Sequence, residues 1–62
     1  MTIRDLMWIF LDGSMQKIKI FDLNTEKYLY VGEYGDYEGD DYEIQSIDNI
    51  DETDYLTINV EA

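Results

Sequence analysis

MQKIKIFDLNTEKYLYVGE, residues 15–33, holds two runs of alternating side chains separated by a short polar break. Over residues 15–21 the period is two, with Lys17 and Lys19 alternating with Ile18 and Ile20, the mark of a half-buried strand. Asp22, Leu23, Asn24, Thr25 and Glu26 supply turn formers, and Lys27–Glu33 resumes the alternation, Leu29 and Val31 facing one way and Tyr28 and Tyr30 the other. So short a connection between two such runs predicts an antiparallel hairpin.

Two more alternating runs follow. Tyr42 and Ile44 share one side of residues 42–48, with Glu43 and Gln45 on the other. Residues 55–61 place Leu56, Ile58 and Val60 inward and Tyr55, Thr57, Asn59 and Glu61 outward. A polar turn over residues 49–54, holding Ile50, joins the two runs, and no proline interrupts either. Upstream, Thr2 followed by Asp5 resembles a helix cap, and Ile3, Leu6, Met7, Phe10 and Leu11 fall on one face at helical spacing. Gly13 offers a stop, so the first element reads as a helix of about ten residues, with Trp8 and Ile9 off its core face. The expected fold class is α+β: one N-terminal helix packed on a four-stranded antiparallel sheet, in two layers; order along the chain favours a meander, but pattern alone does not fix the strand order. The 62 residues form a single domain, 1–62.

Such a domain buries only roughly 60% of the surface its unfolded chain exposes. No cysteine can staple it and no histidine can help build a zinc site, yet 45% of the residues are hydrophobic, too many for a disordered acidic tail. The apolar run Leu6 to Leu11 is too short for a secretory core or a membrane span, which points to the cytoplasm.

Charge is the main functional signal. Net charge is −11, and residues 36–62 carry ten acids and no base. That field repels nucleic acid and anionic membranes and attracts basic protein surfaces, so neither direct nucleic-acid binding nor membrane binding is expected. Catalysis is not expected either: Ser14 and Ser46 sit in no triad pattern, and an acidic strip lacks the apolar pocket that would split carboxylate pKa values. Asp36, Glu38 and Asp40 match the first, third and fifth ligands of a calcium loop, but Asp41 stands where glycine is needed and Ile47 where glutamate is needed. No metal or cofactor is expected.

An excess of charge that weakens a small fold by self-repulsion asks for a use, and one use is imitation of a polyanion. Same-side residues on a strand lie about 6.6–6.8 Å apart, close to twice the roughly 3.4 Å phosphate spacing along one strand of DNA. The candidate face comprises Asp36, Glu38, Asp40, Asp41, Glu43, Asp48, Asp51, Glu52 and Asp54, with Trp8, Tyr34 and Tyr37 as candidate aromatic contacts.

With that layout the chain resembles small phage-encoded anti-CRISPR proteins of the DNA-mimic type, and the stretches TIRDLMWIFLDG and DLNTEKYLYVGEY look similar to short uncharacterised reading frames of bacterial prophages. The resemblance rests on size, charge and layout. It implies a non-enzymatic inhibitor, monomeric or weakly homodimeric, that occupies the basic nucleic-acid channel of a CRISPR effector subunit in the bacterial host cytoplasm. A different expectation also stands: a small protein-interaction module built on an apolar patch around Trp8 or on a sheet edge, with acidity serving solubility or steering.

Overall fold

A computed structural model describes residues 1–8, 15–48 and 54–62. Its frame is a four-stranded sheet of β1 (Lys17–Asp22), β2 (Lys27–Glu33), β3 (Ile44–Ile47) and β4 (Leu56–Val60), in the order β2-β1-β4-β3. The β1–β2 and β3–β4 hairpins are antiparallel, whereas β1 and β4 run parallel at the centre, Ile18 opposite Leu56 and Ile20 opposite Ile58. The sheet is therefore mixed, not antiparallel, and its order is not a meander. Local alternation predicts each hairpin, but the contact between the hairpins is decided by burial of both central strands.

The expected N-terminal helix is also corrected. Ile3–Trp8 forms a six-residue 3-10 helix, and no helix of seven or more residues occurs among the described residues. The continuation through Phe10 and Leu11 to Gly13 lies outside them. The backbone at the start of this segment is already committed elsewhere. Thr2 bridges to Glu43, the Ile3 amide donates to the Tyr42 carbonyl at 3.1 Å, and the Ile44 amide donates to the Met1 carbonyl at 2.8 Å. At three residues per turn, Ile3 and Leu6 eclipse, and both are buried against the sheet. Asp5 does cap the turn, its carboxylate accepting the Thr2 amide at 2.8 Å.

Ile18, Ile20, Ile58 and Val60 line the covered sheet face, with Ile3, Leu6 and Tyr34 packed over them. In β2, Leu29 and Val31 are exposed, while Tyr30 packs against the core. The register sets Tyr30 opposite Ile20 and Val31 opposite Lys19, and a bulge beside Ile20/Phe21 turns Tyr28 to the outer face, against Phe21. Lys17 and Lys19 occupy that outer face as expected. Their ammonium groups lie over aromatic rings, Lys19 5.2 Å from the Tyr55 centroid and 5.9 Å from that of Tyr28.

The β1–β2 turn is organised by Asp22, a buried carboxylate. It accepts the Thr25 hydroxyl at 2.8 Å, the Asn24 amide at 3.0 Å and the Ala62 amide at 3.2 Å, joining the turn to the end of β4. Glu26 closes the turn with φ of 57°, in the left-handed region. The hydrogen bond from Thr25, reinforced by the backbone amides and opposed by burial, holds the Asp22 carboxyl below its ordinary value of 3.8. A depressed folded-state pKa contributes stability that is complete above the unfolded-state value and is lost as pH falls through the folded-state value. Thermal melts followed by circular dichroism should accordingly show Asp22→Asn less stable than the parent at neutral pH. The gap should narrow as pH drops below about 4, and a gap constant down to low pH would contradict this role.

Candidate functional site: the crossover groove

Because β2 and β3 lie at opposite edges, residues 34–43 must cross the covered face of the sheet. Tyrosines fix the path. Tyr34 opens a short 3-10 turn, Tyr34–Asp36. Its amide donates to the Gln16 carbonyl at 2.8 Å, and its buried hydroxyl donates to the Ile3 carbonyl at 2.6 Å. One side chain thus ties the crossover to the N-terminal turn. Tyr42 packs at the margin of the core, where the chain reaches β3.

A local motif occurs twice, once at the end of β2 and once between Tyr34 and Tyr42. In Tyr30-Val31-Gly32-Glu33 and in Tyr37-Glu38-Gly39-Asp40, the phenol hydroxyl donates to the carbonyl three residues on, at 2.5 Å in each case. Each ring lies over the intervening glycine. A Cβ on Gly32 would stand 2.7 Å from the Tyr30 hydroxyl, and one on Gly39 would stand 2.5 Å from that of Tyr37. The two rings meet edge to face, their centroids 5.2 Å apart. Burial, then the neighbouring Tyr42, Asp40 and Asp41, pushes the Tyr37 phenol up to about 12, with Arg4 pulling the other way. The phenol stays protonated and keeps donating throughout the physiological range. The spacing Tyr-x-Gly-acid is the sequence signal for this feature, and reading Tyr37 only as an exposed aromatic misses it.

Trp8, Tyr34 and Tyr37, separate in sequence, line one groove of about 390 Å³ together with Ile3, Arg4, Gly35, Glu38 and Gly39. Their side chains have different roles: Tyr34 is buried, Tyr37 is half-buried, and Trp8 stands 88% exposed.

The carboxylates divide into two groups. Asp36, Glu38, Asp40, Asp41 and Glu43 are exposed along the crossover. Asp41 accepts the Arg4 amide at 2.7 Å, and Glu43 meets the N-terminal ammonium at 3.0 Å. No ion pair among the described residues engages Asp36, Glu38 or Asp40. Asp48 and Asp54, also exposed, flank the β3–β4 connection at the far end of those strands, Asp48 lying 3.4 Å from the Asn59 amide nitrogen. Asp51 and Glu52, with the turn around Ile50, lie outside the described residues. The chain's three lysines are all on β1 and β2, and Lys17 and Lys19 point away from the crossover through the thickness of the sheet.

Among the described residues no cluster of acids has the arrangement to hold a metal ion, and no helix is long and apolar enough to cross a membrane. No known protein family, curated protein or solved structure matches this chain.

Gly39→Ala forces the Tyr37 ring off its glycine, costing the hydroxyl's hydrogen bond and part of the contact with Tyr30. The expected loss is about 1–2 kcal/mol, a fall in melting temperature of roughly 4–16 °C for a domain this small. A melt of Gly39→Ala coincident with that of the parent would contradict the role given to this ring.

Proposed function

We propose that this protein is a non-enzymatic inhibitor, a phage anti-CRISPR protein that mimics DNA through its acidic face. It occupies the basic nucleic-acid-binding channel of a CRISPR effector complex in the cytoplasm of the bacterial host. The observation that carries this reading is the exposed crossover, where Asp36, Glu38 and Asp40 recur at alternate positions without an ion-pair partner among the described residues, and Asp41 and Glu43 extend the series. Tyr34 and Tyr37 anchor that segment to the core, so the charges are carried by a packed backbone rather than a free tail. Holding like charges in place before the partner arrives reduces the ordering cost at binding. Attraction to a lysine- and arginine-lined channel is long-range and fast, and it weakens with salt.

A second reading draws on Trp8. An exposed indole at the lip of an aromatic groove favours a small protein-interaction module, because tryptophan and tyrosine are the side chains that most often dominate interface energies.

The two readings separate in one experiment. A tagged protein is used to capture partners from a bacterial lysate and eluted with a salt gradient. The parent is compared with a variant carrying Asp36→Asn, Glu38→Gln, Asp40→Asn, Asp41→Asn and Glu43→Gln, and with Trp8→Ala. Polyanion mimicry predicts that capture is lost in the neutralised variant, elutes at moderate salt in the parent and changes little in Trp8→Ala. Capture that survives neutralisation and high salt but fails in Trp8→Ala rejects mimicry in favour of the interaction module.

A further inference from the structure

Aromatic rings are used differently on the two sides of the sheet. On the outer face the chain's own lysines lie over them, Lys17 5.8 Å and Lys19 5.2 Å from the Tyr55 centroid. On the groove side no cation among the described residues stands over Trp8 or Tyr37, although Arg4 shares the groove with both. Tyr37 has its hydroxyl engaged by the Asp40 carbonyl and its ring packed on Gly39 and Tyr30. Trp8 is the most exposed of the large hydrophobic side chains described, so the face of its indole is open.

We propose that the groove takes the side chain of one arginine from a basic partner protein, its guanidinium stacked on the Trp8 indole and its N–H groups turned to the Glu38 carboxylate. A planar guanidinium can stack and donate in its own plane at once, which a compact, strongly hydrated ammonium cannot. The apolar stem of the arginine lies along the wall that Ile3 and Tyr34 provide. At about 390 Å³ the groove falls within the roughly 300–1,000 Å³ of sites that enclose small ligands, which leaves room for a long side chain.

Charge selects this occupant. Glu38 is in the wall, and Asp36, Asp40 and Asp41 lie exposed on the same strap, whereas Arg4 is the only base lining the groove. An anion would be repelled by that field. A neutral apolar group would strip water from Glu38 and return no partner. A flat cation satisfies the ring and the carboxylate together. The inference rests on the polyanion reading in one respect, that a basic partner brings arginine to the crossover. One such contact is small beside the summed attraction of a channel, so lysate capture is insensitive to it and a short peptide isolates it.

Capped tetra-arginine and tetralysine peptides, equal in charge, are titrated at low salt into isotope-labelled protein and followed by NMR. Trp8 is the only tryptophan, so its indole N–H gives a single resonance. The arginine peptide should bind more tightly and move that resonance, and its own side-chain methylene protons should shift upfield in the indole ring current. Trp8→Leu keeps apolar area but has no π face. It should weaken the arginine peptide about five- to thirty-fold and barely alter the lysine peptide, while Trp8→Phe keeps part of the preference. Glu38→Gln should cost more than Asp54→Asn, which removes the same charge beside the β3–β4 connection. Equal affinities for the two peptides, or an arginine peptide that Trp8→Leu does not weaken, overturn the inference and leave the acidic face standing. Binding of neither peptide overturns the inference and counts against the acidic face as well.

Discussion

The parallel pairing of β1 with β4 is the constraint on which the rest of the structure depends. Each hairpin has one of these strands inside and its other strand outside, so β2 and β3 end at opposite edges. The chain between them has no short way round and must traverse the sheet. In most small folds a helix makes such a crossing. Here residues 34–43 make it as an irregular strap, which must both cover apolar side chains and satisfy its own backbone. Tyrosine suits both demands, because its ring covers the sheet while its hydroxyl donates to a carbonyl. Tyr34 serves the N-terminal turn in this way, and Tyr30 and Tyr37 serve their own local carbonyls.

The division of charge follows from the same topology. The two faces of the sheet have different chemistry: lysines against aromatic rings on the outer face, and a carboxylate-bearing strap over the inner one. Since the strap is the cover of the core, its outward positions are the only ones that can be polar, and nearly all of them are acidic. A molecule with little apolar surface to bury gains solvation there and accumulates repulsion. The anchoring phenols and the Asp22 turn oppose that repulsion.

Much of this was legible in the sequence, and the failures have particular causes. Alternation located four strands, with β2 matching its observed limits, because each strand has one covered face. The helix was misjudged because Ile3 and Leu6 are spaced three apart, which suits a 3-10 turn as well as an α-helix. What decided between them was the pairing of Thr2 and Ile3 with residues 42 and 43, a contact across most of the chain. The parallel centre has a similar origin, since nothing local records which hairpin strand will meet which. Alternation separated Leu29 and Val31 from Tyr28 and Tyr30 without saying which pair is covered. Gly32, by making room for a folded-over Tyr30, was the residue that argued for Tyr30. Of the candidate site, charge clustering found the exposed acids of the crossover, and the three proposed aromatic contacts do share a groove. Their separate duties depend on burial, which composition does not encode.

The exposure of Trp8 has a practical consequence. It is the only tryptophan in the chain, and it sits on the groove rather than in the interior. In most small domains indole emission follows unfolding, because the ring passes from oil to water. In this one the ring is already wet in the native state, so its fluorescence is a poor thermometer of folding. It is instead placed to report on the groove it lines.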